Sequence, residues 1–185
     1  MPQDSFMDRF EAAGVIRRGH FMRTSGRHTD VYVQCARLFE HSQQAEEVCR
    51  TLAERFRQSG AQLVMGAAIG GLLPGYEVAR ALGLPFIYCE RKDGAMTLRR
   101  GFAIPPGAKV LIIEDEVTTG ASVREMMEIV RALGGETVGV GCLVDKSFGK
   151  VPIDVPYEHL VSIQVLSHRE GQCPLCAQGL ALDRV

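Results

Sequence analysis

The sequence predicts an α/β protein with an open, mostly parallel sheet flanked by helices. Three observations carry this reading. Short apolar runs at 63–67, 86–89, 110–113, 138–144 and 160–165 are continuous rather than alternating, as in strands covered on both faces. Helical-period stretches alternate with them, which suits parallel strands joined by crossovers. Polar segments follow the runs, at the carboxyl ends where open α/β sheets bind ligands.

Each element has a local reason. Asp4 or Ser5 suits the N-cap of a first helix, with Phe6, Met7, Phe10 and Ala13 on one face and an end near Gly14. Short strands at 20–24 and 31–36 flank a turn at Ser25-Gly26-Arg27. Ser42 opens a long amphipathic helix, with Ala45, Val48, Cys49, Leu52 and Phe56 at helical spacing, and Ser59-Gly60 stops it. Gly70-Gly71 separates the 63–67 run from a helix carrying Leu72, Leu73, Val78, Ala79 and Leu82. A further helix over 119–133 ends at Gly134-Gly135. Polar loops at 67–71, 90–101 and 114–122 are expected to converge.

The chain has 185 residues, 46% hydrophobic and 23% charged. That suits a single domain over 1–185, with a core over about 41–165 and a hood from about 1–40 and 166–185. The net charge of −1, the absence of Trp and the 6% aromatic content argue against nucleic acid as a partner. No apolar run approaches the ~20 residues of a membrane span. The first residues do not resemble a secretory signal. The expected location is the cytoplasm.

The stretch 110–122 reads VLIIEDEVTTGAS. Thr118, Thr119, Gly120, Ala121 and Ser122 join a strand to a helix start, a place for one terminal phosphate or an ordinary helix-capping turn. The lysine of a triphosphate-binding loop is missing, so a nucleoside-triphosphatase is rejected. Glu114 and Asp115 end an apolar strand and need partners. A ribose diol donates two hydroxyls to such carboxylates, and a hydrated Mg²⁺ suits them too. A sugar phosphate meets both demands. Glu116 is expected to face solvent.

This stretch resembles the phosphoribosyl pyrophosphate signature of the type I phosphoribosyltransferases. TSGRHTDVYVQCARLF at 24–39, GAAIGGLLPG at 66–75, CERKDGAMTLRRGF at 89–102 and CLVDKSFG at 142–149 look like the orotate phosphoribosyltransferase family, in its short-loop branch. The resemblance implies transfer of a phosphoribosyl group from phosphoribosyl pyrophosphate to orotate in pyrimidine synthesis, with Mg²⁺ and in a homodimer. It implies catalytic roles for Glu114, Asp115, Arg91 and Lys92. Glu114 to Ser122, including Glu116 and Val117, together with Ala68, Ile69, Gly70, Gly71, Arg91 and Lys92, would bind phosphoribosyl pyrophosphate. Thr118, Lys146 and Tyr32 would hold orotate. Mg²⁺ would be held through substrate and water near Glu114 and Asp115, without direct protein ligands. Arg99 and Arg100 are weaker loop candidates. Lys146 stands where the family usually has Arg, a point charge in place of a bidentate fork. A purine-type transferase and a non-catalytic sensor of phosphoribosyl pyrophosphate remain alternatives.

Cys173 and Cys176 form a single C-x-x-C, half of a zinc site. A structural role, metal binding and redox pairing are all open. His168 is near in sequence, and His159 is a further candidate.

Overall fold

The computed structural model describes residues 5–185. Ser5 caps helix α1 (Phe6–Ala12): its hydroxyl accepts the Asp8 N–H, and the Asp8 carboxylate accepts the Ser5 N–H. Asp4, the other capping candidate, lies outside the described residues. Strands β1 (Ile16–Met22) and β2 (His28–Val33) pair antiparallel across the Ser25-Gly26-Arg27 turn. A 3-10 helix at Cys35–Glu40 precedes α2 (Ser42–Glu54). Then come β3 (Leu63–Ala67), α3 (Leu72–Leu82), β4 (Phe86–Lys92), β5 (Ala95–Leu98), β6 (Lys109–Val117), α4 (Ala121–Ala132), β7 (Glu136–Asp145) and β8 (Tyr157–Ser162). Two-residue strands β9 (Ser167–His168) and β10 (Asp183–Arg184) bracket a short α5 (Pro174–Ala177).

The main sheet runs β5-β4-β3-β6-β7-β8 and is parallel except for the β4–β5 pair. Its central strand explains the continuous apolar run. Val110, Leu111, Ile112 and Ile113 are all fully buried. Leu111 and Ile113 meet α2 and α3 through Val48, Leu52 and Val78. Val110 and Ile112 meet α4 through Val123, Met126 and Val130. The parallel sheet flanked by helices is thus the architecture found. A smaller sheet, β10-β1-β2-β9, gathers both ends of the described chain.

The first hairpin begins three to four residues earlier than the sequence expectation, at Ile16–Met22 and His28–Val33 rather than 20–24 and 31–36, and two further differences bear on the site. The 90–101 segment is not a loop: β4 continues to Lys92, turns at Asp93-Gly94 and returns as β5. Both turn residues have positive φ, 52° and 85°, the tight geometry that Asp-Gly favours between antiparallel strands. Likewise β6 runs through Glu114, Asp115 and Glu116 to Val117. The three acids are therefore held on a strand, with Glu114 and Glu116 registered against Cys142 and Val144 of β7.

Candidate active site

From β3 the chain moves outward to β4; from β6 it moves the other way, to β7 and β8. The carboxyl ends of β3 and β6 thus flank a topological switch point. A cavity of about 340 Å³ opens there. Ala68 and Gly70 line one side, Arg91 and Met96 the rim, and residues 114–123 the floor.

Close approach explains the glycine pair. A Cβ on Gly70 would stand 2.5 Å from the Asp115 carboxylate, and one on Gly71 would stand 2.9 Å from Glu114 Oε2. Glycine lets the two carboxylates pack against this loop. Ile69 projects outward with 85% exposure, while Ala68 and Gly70 on either side of it line the cavity.

Glu114 is only 5% exposed. Burial, and then the neighbouring Asp115 charge, push its pKa up to about 8. Burial and the Glu116 charge raise that of Asp115, whose Oδ1 accepts the Glu116 N–H at 2.8 Å. Among the described residues neither Glu114 nor Asp115 joins an ion pair. One buried and one half-buried carboxylate, neither ion-paired, suit hydroxyl donors or a hydrated divalent cation.

Beside them Gly120 opens α4 with φ of 70°. The first-turn N–H groups of a helix lack intrahelical partners and carry partial positive charge. Arg124 Nη1 donates to the Thr119 carbonyl at 2.9 Å and braces the turn. Thr118, Thr119, Ala121 and Ser122 all line the cavity. The arrangement can hold a phosphate next to groups that prefer hydroxyls.

The basic residues divide. Arg91 reaches the cavity and donates to both Glu125 oxygens, at 3.0 and 2.8 Å, and to the Gly94 carbonyl at 2.9 Å. The Arg91 hydrogen bond in turn holds the Glu125 carboxyl below its usual pKa. Lys92 is exposed, pairs with Ala95 in the hairpin and does not line the cavity. Its side chain stands one position beyond Arg91, near the tip of the β4–β5 hairpin. Arg99 and Arg100 both pair with Glu90, at 3.1 and 2.9 Å.

A second cavity, about 390 Å³, adjoins the hood and shares Thr118 with the first. Lys146, Arg23, Arg27, Thr29 and Ser167 help to line it. The Lys146 side chain is 2% exposed, and its Nζ donates to Glu116 Oε1 at 2.6 Å. Glu116 therefore does not face solvent; it meets the buried lysine. Lys146 is presented by a rigid turn, because the Asp145 carboxylate accepts the Ser147 N–H and hydroxyl, at 3.0 and 2.6 Å, and the Tyr157 hydroxyl at 3.1 Å. Burial works to raise the Asp145 pKa, but these bonds hold it lower than usual. Tyr32 does not join this cavity. It lies an odd number of positions from Thr29 on β2, hence on the other face. It packs on Phe21 at 5.7 Å and its hydroxyl accepts from Gln34.

Arg23, Arg27, Thr29 and Ser167 had no assigned role in the sequence reading. Two arginines flanking a Ser-Gly turn are a legible hint of an anion, but Ser167 lies 140 residues away from Arg27, whose Nε and Nη2 it accepts at 2.7 Å. No local pattern signals that pairing.

The phosphoribosyl transferase domain family matches residues 36–174. A relative in Caldanaerobacter subterraneus subsp. tengcongensis, named orotate phosphoribosyltransferase, is 46% identical over 98% of this chain and 96% of its own. One of the same name in Pelotomaculum thermopropionicum is 48% identical over 97% and 95%. The chain belongs to the orotate phosphoribosyltransferase family. Solved structures share the fold more widely. Orotate phosphoribosyltransferase from Aeropyrum pernix superposes with a TM-score of 0.69 at 22% identity, covering 84% of this chain and 92% of that one. Adenine phosphoribosyl transferase from Trypanosoma brucei gives 0.65 at 18% identity, covering 88% and 82%. The fold is therefore common to members named for orotate and for adenine.

Proposed function

We propose that this chain transfers the phosphoribosyl group of phosphoribosyl pyrophosphate to orotate, giving orotidine 5′-phosphate and pyrophosphate. The observation that carries it is the meeting of two cavities of opposite character at Thr118. One joins a helix start to buried carboxylates; the other is lined by Lys146, Arg23 and Arg27. The first suits a ribose phosphate. The second suits a base that is already an anion, whereas a neutral purine offers no negative charge to three cationic side chains.

Each residue has work in this reaction. The amides and hydroxyls of residues 118–122 bind the 5-phosphate. Glu114 and Asp115 face the ribose hydroxyls; as the bound ligand and its cation displace the proton that Glu114 holds in the ligand-free site, the two carboxylates stabilise positive charge growing on the ring as pyrophosphate departs. Arg91 stands at the rim, where it offsets charge on the leaving group. Lys146 and the hood arginines orient the orotate carboxylate, and Thr118 spans both substrates. Orotate needs no strong base, since it reaches the site ionised. Glu114 and Asp115 also fit a hydrated Mg²⁺, since neither is ion-paired; Mg²⁺, when bound, would supply neutralising charge to the diphosphate.

A homodimer belongs to the same proposal. Ile69, Leu73 and Tyr76 are 85, 52 and 54% exposed and recur at helical spacing beside the site. So does residence in the cytoplasm, which six free thiols favour. No helix among the described residues is long and apolar enough to cross a membrane.

The test is loss of orotate absorbance with phosphoribosyl pyrophosphate and Mg²⁺, beside adenine, hypoxanthine, xanthine and uracil. Turnover of orotate alone is expected. Preference for another base would overturn the reading of the second cavity. Binding of phosphoribosyl pyrophosphate without any turnover would make the protein a sensor. Light scattering at working concentration tests the dimer.

A further inference from the structure

The C-x-x-C motif finds partners in the hood, far from it in sequence. His20 of β1, His28 of β2, Cys173 and Cys176 place one ligand atom each within 4.8 Å of all the others. These are not the histidines near Cys173 in sequence: His168 and His159 are not in the cluster. We propose that His20, His28, Cys173 and Cys176 bind one zinc ion that staples the carboxyl-terminal segment to the hood. The site does not depend on which base the enzyme uses.

The distances have the right size. Zinc bonds of about 2.0–2.1 Å to nitrogen and about 2.3 Å to sulfur, set tetrahedrally, give edges of roughly 3.3 Å between nitrogens and roughly 3.6 Å between nitrogen and sulfur. The structure has His20 Nε2 and His28 Nδ1 2.9 Å apart. Cys173 Sγ and Cys176 Sγ lie 3.5 and 3.6 Å from His20 Nε2. Cys176 Sγ lies 3.3 Å from His28 Nδ1.

Hydrogen bonding alone does not account for the convergence. His20 Nδ1 lies 3.0 Å from the Leu180 carbonyl, which can only accept, so this nitrogen carries the ring proton. His20 Nε2 then offers a single lone pair. His28 Nδ1 and both thiols all crowd toward it, while His28 Nε2 is buried with no partner at all. A cation takes the lone pairs of His20 Nε2, His28 Nδ1 and both sulfurs at once, and the Leu180 carbonyl becomes the outer partner that fixes the His20 ring. Binding displaces the two thiol protons to solvent, which leaves a neutral Cys₂His₂ centre.

The segment also needs an anchor. Of residues 166–185, Cys173 alone is buried. Strands β9 and β10 contribute two residues each. So little apolar burial does not hold twenty residues in place, and metals commonly replace a missing core. The anchored segment includes Ser167, which pairs with Thr29 on β2 and receives Arg27. The zinc site therefore stands behind the wall of the second cavity.

The experiment is elemental analysis of the full chain, purified without chelator from zinc-supplemented cells, with cobalt substitution alongside. About one zinc per chain is expected. Cobalt should give intense visible bands and a thiolate charge-transfer band, with Cys176→Ser losing the latter's intensity. Should that variant fold poorly, a thiol count on the native sequence decides. Six thiols, matching the six cysteines, are expected after denaturation with chelator and no reductant. Metal-free protein that takes up no cobalt would overturn the proposal. So would a count short by two, which would mark a Cys173–Cys176 disulfide.

Discussion

Glu114→Gln should make the ligand-free protein more stable at pH 8. Glu114 has a folded pKa of about 8 against an ordinary 4.5, because its carboxylate is buried beside Asp115. Between those values the folded chain holds a proton that the unfolded chain releases. Stability is thus fully present below the unfolded pKa and is lost as pH rises through the folded one. Integrated, the loss is on the order of 1 kcal/mol at pH 5 and on the order of 4 kcal/mol at pH 8. Glutamine keeps the shape of a protonated Glu114 and titrates nowhere in this range. The variant's advantage should therefore grow by about 3 kcal/mol between pH 5 and pH 8, or roughly 6–12 °C in Tm for a chain of this size. Urea and thermal denaturation of both proteins at the two pH values measure it. Titrating groups that do not interact with Glu114 cancel in the comparison. An advantage that is the same at both pH values, or a variant less stable at pH 8, refutes the idea that burial and Asp115 hold Glu114 protonated. Turnover by the variant should fall meanwhile, which separates stability from function.

Other expectations concern the rest of the site. Asp115→Asn should lower kcat by about 10²-fold or more, as loss of a group that stabilises transition-state charge does, with an unchanged circular dichroism spectrum; near-normal turnover would remove Asp115 from the chemistry. Lys146→Ala should raise KM for orotate more than for phosphoribosyl pyrophosphate. A double-mutant cycle with Glu116→Gln should return a coupling of about 1–3 kcal/mol; no coupling would mean that the 2.6 Å pair contributes nothing. Gly70→Ala places a Cβ 2.5 Å from the Asp115 carboxylate, so KM for phosphoribosyl pyrophosphate should rise; an unchanged KM would show that the loop yields freely. Arg91→Ala should change stability by less than about 1 kcal/mol, because its pair with Glu125 is surface-exposed, yet slow turnover; a large stability loss with normal turnover would reverse that assignment.

The parallel sheet was legible because burial on two faces demands continuous apolar runs, and 110–113 satisfies that demand without help from distant residues. The frame around 118–122 was equally legible, since a strand, a tight glycine turn and a helix start are all local. What the chain order hides is which polar groups meet across the fold. Glu116 looked solvent-facing until strand pairing set it beside the turn that carries Lys146. Tyr32 looked like a base contact, but the alternation of β2 turns it away from Thr29 and the cavity. The 90–101 segment reads as a polar loop, and only pairing of Arg91 with Met96 and the grip of Glu125 on Arg91 make it a hairpin. The C-x-x-C motif showed two ligands; the other two stand on the first hairpin, more than 140 residues earlier. Local sequence sets backbone preference and burial, because those depend on neighbours a few residues away. The partners of charged and metal-binding side chains are set by through-space distance, which only the closed tertiary fold decides.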